Sequence, residues 1–247
     1  MATAFTRLSP ADQNALITRI VARCRAMKGD ASPVVVFDLD GTLMDNRPRT
    51  LAILQELARE LEAEAHESAS VLARARGEEL AYLLGDSLKR IGIEHPELVT
   101  RAEGFWRDRF FSDHYLKHDV ALPGSVEFAR ACYDAGAVLV YFTGRDLPLM
   151  GLGSFQSLRD LGFPIGVVGT ELVCKPDAKI PDEQFKRDEG PKLRRVGRVV
   201  AAFDNEPGNC NAFVEMTPEA EVVFVDTQHL PGAPPLDSRV HVVADFR

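Results

Sequence analysis

The spacing of apolar and polar positions changes period several times along the chain. Residues 34–37 read Val-Val-Val-Phe, three β-branched residues and an aromatic in a continuous apolar run after Ser32-Pro33, as in a strand covered on both faces. Between 48 and 120 the texture differs: "TLAILQELARELEAEA" and "ARARGEELAYLLGDSLKRIGI" carry Leu, Ala, Glu and Arg at helical spacing, with no strand-like stretch. Pro123-Gly124 closes that block, and alternation follows. The pattern predicts a helix over "SVEFARACYDAGA" ending at Gly136, a strand over "VLVYF" ending at Thr143, a helix over "GSFQSLRDLGF" and a strand at "IGVVG". A loop through Lys175-Pro176, a helix from Asp182 to Arg195, a strand "RVVAAF", a helix from Pro207 to Phe213 and a strand "EVVFV" complete the series. Upstream, Ser9 as N-cap, Pro10 at the first helical position and Ala15, Ile17, Ile20, Val21 and Cys24 on one face predict a helix within 1–30.

Strands alternating with helices predict an α/β fold, a Rossmann-like parallel sheet flanked by helices, interrupted after its first strand by an all-helical insertion. The expected organisation is an N-terminal helical extension, 1–30; a core domain, 31–47 with 121–247; and the insertion, 48–120.

Composition narrows the function classes. With 29 Lys+Arg against 37 Asp+Glu the net charge is -8, which makes a nucleic-acid or anionic-membrane partner an unfavourable expectation. No apolar run approaches the ~20 residues of a membrane-spanning helix, and the N-terminus has no signal-type apolar segment, so the expected compartment is the cytoplasm. Cys24, Cys132, Cys174 and Cys210 form no CxxC pair and are expected as reduced thiols.

In open α/β sheets ligands collect at the carboxyl ends of the strands. Strand one exits into Asp38-Leu39-Asp40, the second into Thr143-Gly144-Arg145, and "RVVAAF" into Asp204-Asn205-Glu206. Three carboxylates on one rim repel unless a cation is present, and oxygen ligands of this type suit Mg²⁺. Mg²⁺ completes its shell with water and phosphate oxygens, so a small phosphorylated substrate is the expected partner. The Thr143 hydroxyl and a lysine would hold its remaining oxygens. Arg145 is open between a helix-capping role and a phosphate contact. Asp-Leu-Asp-Gly is not a calcium loop, since Leu43 and Arg49 stand where that loop needs glycine and a bidentate glutamate. The aromatic series Phe105, Trp106, Phe110 and Phe111 reads first as core of the insertion and second as a stacking platform.

"FDLDGTLMD", "VYFTGR", a downstream lysine and "AFDNEP" resemble, in that order, the four motifs of the haloacid dehalogenase superfamily of phosphatases. The resemblance covers 31–47 and 121–247. It implies that Asp38 is the nucleophile that forms an aspartyl-phosphate, Asp40 the general acid/base, and Thr143 a phosphoryl-binding residue. It also implies that Asp204 holds Mg²⁺ with the Asp38 carboxylate and the Asp40 backbone carbonyl. The insertion stands where members with an α-helical (C1-type) cap carry it. For the lysine, Lys186 fits the setting in the polynucleotide-phosphatase and nucleotidase branches, while Lys175 in "LVCKPD" is the alternative; Gly144, Arg145, Arg47 and Lys175 are expected around the substrate. Asn46 and Arg49 beside Arg47 are further candidates for reaching it. The expected activity is hydrolysis of a small phosphorylated metabolite. A nucleic-acid end phosphatase or nucleotidase, and a non-catalytic sensor of phosphorylated ligands, are the alternatives.

Overall fold

A computed structural model describes residues 5–27, 29 and 31–247; residues 1–4, 28 and 30 of the expected N-terminal extension lie outside it. The chain opens with α1 (Pro10–Ala26), whose N-cap Ser9 accepts from the Asp12 amide. Its buried face is Leu16, Ile20 and Cys24, rotated from the expected one so that Ala15 is exposed. Gln13 Nε2 donates to the Arg247 carbonyl at 2.7 Å, and Arg19 pairs with Glu221 at 3.0 Å, so α1 is tied to the end of the chain and to the sheet.

Strand β1 (Pro33–Phe37) is buried throughout. A short β2 (Met44–Asp45) leads into the insertion, which comprises α2 (Arg47–Leu61), α3 (His66–Ala73), α4 (Leu84–Arg90) and α5 (Pro96–Phe110). The chain returns through β3 (Val120–Ala121), antiparallel to β2 with Met44 opposite Ala121. The insertion has its own apolar core, with Leu54, Leu57, Leu61, Leu72 and Leu88 at its centre. The rest is α6 (Ser125–Asp134), β4 (Val138–Asp146), α7 (Leu147–Leu161), β5 (Thr170–Lys175), α8 (Asp182–Glu189), β6 (Arg198–Asp204), α9 (Pro207–Met216), β7 (Glu221–Val225) and β8 (His241–Val243).

Six strands form one sheet in the order β5-β4-β1-β6-β7-β8, every pair parallel. Alternate residues of β1 face opposite layers. Val35 and Phe37 pack with α1 and α6 residues such as Leu16 and Phe128, while Val34 and Val36 pack toward Phe185 of α8 and Phe213 of α9. The chain leaves β1 toward β4 on one side and later places β6 on the other, so the carboxyl end of β1 is the point where strand order reverses.

Several elements differ from the sequence expectation. "IGVVG" is not a strand: Gly166 and Gly169 both take positive φ (72° and 85°), which breaks an extended backbone, and β5 begins only at Thr170. Lys175 therefore ends a strand rather than following one. Helix α7 starts six residues early because Asp146 caps it, accepting from the Leu149 amide at 3.0 Å, with Pro148 in the first turn. The helix expected over 182–195 tightens to 3₁₀ geometry from Gly190, and β8 is an additional edge strand.

Candidate active site

Asp38 is the first residue beyond β1, and its amide donates to the Phe203 carbonyl of β6 at 3.0 Å. The Leu39 carbonyl then accepts from the amides of Thr42, Leu43 and Met44, closing a tight turn. Gly41 sits in that turn at φ 76°, where an added Cβ would run into the Asn205 side chain. Thr42 Oγ1 donates to Asn205 Oδ1 at 3.1 Å. The Gly-Thr after the paired aspartates is thus shaped to lock β1's exit onto the exit of β6.

Two charge clusters result. In the first, Lys186 Nζ, entering from α8, lies 2.8 Å from Asp38 Oδ1 and 2.6 Å from Asp204 Oδ2. All three are buried, and Asp204 Oδ1 accepts from the Glu206 amide and Asn209 Nδ2. Burial pushes the Asp38 carboxyl up to about 7, with Lys186 opposing the rise and Asp204 adding to it. Burial works against the Lys186 charge, but Asp204 and Asp38 outweigh it and hold the ammonium protonated.

In the second cluster, Arg145 clamps Asp40 through Nε (2.7 Å) and a terminal nitrogen (2.9 Å), and Arg49 reaches the same carboxylate at 2.7 Å. Asn46 adds a bond of 3.2 Å. Asp119, just before β3, accepts from both Arg49 and Arg145. Burial would raise Asp40, but Arg145 and then Arg49 overcome it and hold its carboxyl well below the usual carboxylate range. The repulsion between strand-end carboxylates expected from sequence is therefore already countered by side-chain cations.

Thr143 is buried within β4, three residues before the strand ends at Asp146 rather than at its end as the sequence pattern predicts, and its hydroxyl accepts from the Arg145 amide at 3.2 Å. Gly144 lines the site with the Asp182 carboxylate packed against it, leaving no room for a Cβ. Arg47 also lines the site but is gripped by Asp45 at 2.7–3.0 Å. Arg145 neither caps a helix nor stands free for a ligand; its donors go to Asp40, Asp119 and Ser154. Lys175 turns away, its ammonium bound to the Ile180 carbonyl (3.0 Å) and Asp182 (2.6 Å). Among the described residues, no group of three or more His, Cys, Asp or Glu is gathered as a metal cluster.

A cavity of about 750 Å³ opens over these residues, between the strand ends and the insertion. Sequence reading missed Asp119 and the structural role of Arg49, because only the fold brings the insertion's two ends against Arg145. Asn209, by contrast, sits in the first turn of the helix after Asp204, a helical spacing that points it back toward the strand end.

Paired acids and a buried lysine stand at the switch point of a parallel sheet, beneath a helical insertion, where proteins of the doubly wound α/β class bind their ligands. The chain belongs to the haloacid dehalogenase-like hydrolase family, whose model matches residues 33–207. No curated protein sequence matches the chain. Among solved structures, it is similar to a candidate phosphatase from Clostridium difficile (14% identity, TM-score 0.55) and to protein tyrosine kinase A from Mycobacterium tuberculosis (15% identity, TM-score 0.53). Each match covers 87% of this chain and 95% of the other, and at such identities the likeness is one of fold. Among the described residues, no helix is long and apolar enough to cross a membrane.

Proposed function

We propose that the chain is a Mg²⁺-dependent phosphatase that hydrolyses a small phosphate monoester through an aspartyl-phosphate on Asp38, with the insertion, 48–120, serving as its cap. The observation that carries this reading is the bridge of Lys186 between Asp38 and Asp204, with Asp40 and Thr143 on the same cavity. Asp38 and Asp204 fit a Mg²⁺ ion: two carboxylates on neighbouring strands, beside a cavity able to supply water and phosphate oxygens, match the one or two protein carboxylates such an ion takes. The Asp40 backbone carbonyl would be the third protein ligand. When bound, the ion would offset the charge repulsion between carboxylate and phosphate dianion.

In the proposed reaction an Asp38 oxygen attacks phosphorus, the bond to the leaving oxygen breaks, and that oxygen takes a proton from Asp40. Water then attacks the aspartyl-phosphate, Asp40 accepts its proton, and phosphate leaves with the Asp38 carboxylate restored. Asp40 ionised between Arg145 and Arg49 has the form that accepts the proton from water; donating one first requires it to loosen from an arginine. Lys186 would offset the charge of the transferring group and the Thr143 hydroxyl would help to position it. The net charge of -8 opposes a polynucleotide substrate.

The test is phosphate release from a panel of monoesters with Mg²⁺, with EDTA, and with Asp38→Asn. Loss in both the chelated and the substituted protein is expected; release that survives Asp38→Asn overturns the mechanism.

A further inference from the structure

The end of the cavity away from the charge clusters differs chemically from its floor. On the insertion side its wall is Tyr82, Leu83, Leu84, Trp106, Phe110 and Phe111. Tyr82, Leu83 and Phe111 are 42%, 46% and 43% exposed, and all three line the one cavity instead of being scattered over the surface. The aromatic series is therefore divided: Phe105 and Trp106 pack against the insertion core, while Trp106, Phe110 and Phe111 also form this wall.

The wall is built rather than loose. Trp106 stacks on Phe110 with centroids 4.3 Å apart, and Phe111 meets both edge-on at 5.8 and 5.1 Å. The Trp106 indole N–H donates to Thr50 Oγ1 at 3.1 Å, and the Arg49 guanidinium lies 4.3 Å from the centre of Phe110. On the opposite lip, Gln228 Nε2 donates to the Leu80 carbonyl at 2.6 Å, which ties the segment carrying Tyr82 and Leu83 to the loop after β7. Such fixed aromatic faces favour a planar ring in offset-stacked or edge-on contact.

Charge restricts the class further. Among the described residues lining the cavity, the cations at its floor are already committed: Lys186 to Asp38 and Asp204, Arg145 to Asp40 and Asp119. Around the remainder the charges are likewise paired, Arg47 with Asp45, Lys175 with Asp182, Arg7 with Asp226 and Arg247 with Asp245, and Glu206 adds a further carboxyl group. A second anionic group on the substrate would find no uncommitted cation among the described residues lining the cavity.

We propose that this wall is the leaving-group subsite, and that it takes a planar aromatic ring on a phosphate monoester carrying no second anionic group. The inference rests on the phosphatase reading for its orientation, phosphate at Asp38 and ring at Trp106. A ring esterified directly, as in an aryl phosphate, and a ring carried on a sugar, as in a nucleoside monophosphate, share this chemistry.

Binding to the full chain bearing Asp38→Asn, with Mg²⁺, separates the subsite from the chemistry. Calorimetric titration compares adenosine 5′-monophosphate and phenyl phosphate with ribose 5-phosphate and 2-phosphoglycolate. At least one ringed ester is expected to bind tenfold or more tighter than both ring-free ones, and which of the two wins identifies how the ring is carried. Trp106 is the chain's single tryptophan, so its emission should change saturably with the same Kd. Phe111→Ala or Tyr82→Ala should lower the ringed-to-ring-free affinity ratio at least tenfold, and Phe111→Tyr should restore it. Equal or tighter binding of a ring-free ester, no binding of either ringed one, or binding without a change in Trp106 emission overturns the subsite. If the ringed ester binds as expected but the unsubstituted protein releases phosphate from none of the four, the phosphatase reading fails and the subsite stands. Release from ring-free esters in preference has the opposite meaning.

Discussion

Two lysines eleven positions apart separate by what their ammonium groups neutralise. Lys186 is fully buried between two carboxylates, and removing it leaves Asp38 and Asp204 facing each other without a counter-charge. Lys186→Met should therefore lower stability by about 3 kcal/mol in metal-free buffer, within the range for breaking a buried ion pair. Part of that loss should return with Mg²⁺, as urea titrations with and without the ion would show. The same variant should lose about two orders of magnitude in kcat, the scale of one lost charge-stabilising donor. Lys175→Met removes only a loop brace to Asp182 and two carbonyls, so turnover should stay within about threefold. A large loss of turnover for Lys175→Met with little for Lys186→Met would reverse the assignment.

The insertion's stem is held by charge as well as by the β2–β3 pair. Arg49 lies in the first turn of α2 and Asp119 precedes β3; Arg49 and Arg145 of β4 share both Asp40 and Asp119, so a set of two arginines and two aspartates joins both ends of the insertion to the sheet. Asp119→Ala leaves two buried guanidinium groups sharing Asp40 alone. A destabilisation of about 3–5 kcal/mol is expected in denaturant unfolding, with Asp119→Asn intermediate. At the opposite edge, Glu221 joins α1 through Arg19 and β8 through His241. The His241 hydrogen bond, with Arg19 adding to it, lowers its pKa from 4.5 to about 2. A carboxyl whose pKa is lower folded than unfolded contributes stability above its unfolded value. That contribution is lost as pH falls from 4.5 toward 2. The group is partly solvated, so the loss should be only about 1 kcal/mol, and Glu221→Gln should remove that part of the acid dependence.

At the proposed Mg²⁺ site, metal binding would couple the strand ends to the stability of the entire sheet, because Asp38 follows β1 and Asp204 ends β6, two paired central strands. An ion that binds only the folded chain adds about 2.7 kcal/mol at a hundredfold excess over its Kd. For a chain of 247 residues this should raise Tm by about 5–10 °C. Thermal scans with Mg²⁺ and with EDTA measure it. Asp204→Asn should abolish the increment, and an unchanged increment in that variant would move the metal site elsewhere.

The periodicities of 34–37, 48–120 and 121–225 sufficed for the α/β class, the insertion after the first strand and the strands that carry the chain to Asp38, Thr143 and Asp204, although β4 runs three residues past Thr143 to Asp146, because buried strands and amphipathic helices are local patterns. Local pattern failed at "IGVVG", where β-branched residues signal a strand but two glycines in the left-handed region prevent it. Local pattern set Lys186 in a helix and Lys175 beside a strand without saying which reaches the rim; the family setting favoured Lys186, and packing puts its ammonium between Asp38 and Asp204. Asp119 carries no local signal at all; it matters because the stem of the insertion closes beside Arg145. Sequence alone determined which residue types reach the rim of the sheet, since alternation along a strand and the polar break at its end are written in consecutive positions. Tertiary structure decided which of those charges neutralise one another and which aromatics face the cavity, because both depend on contacts between segments tens of residues apart.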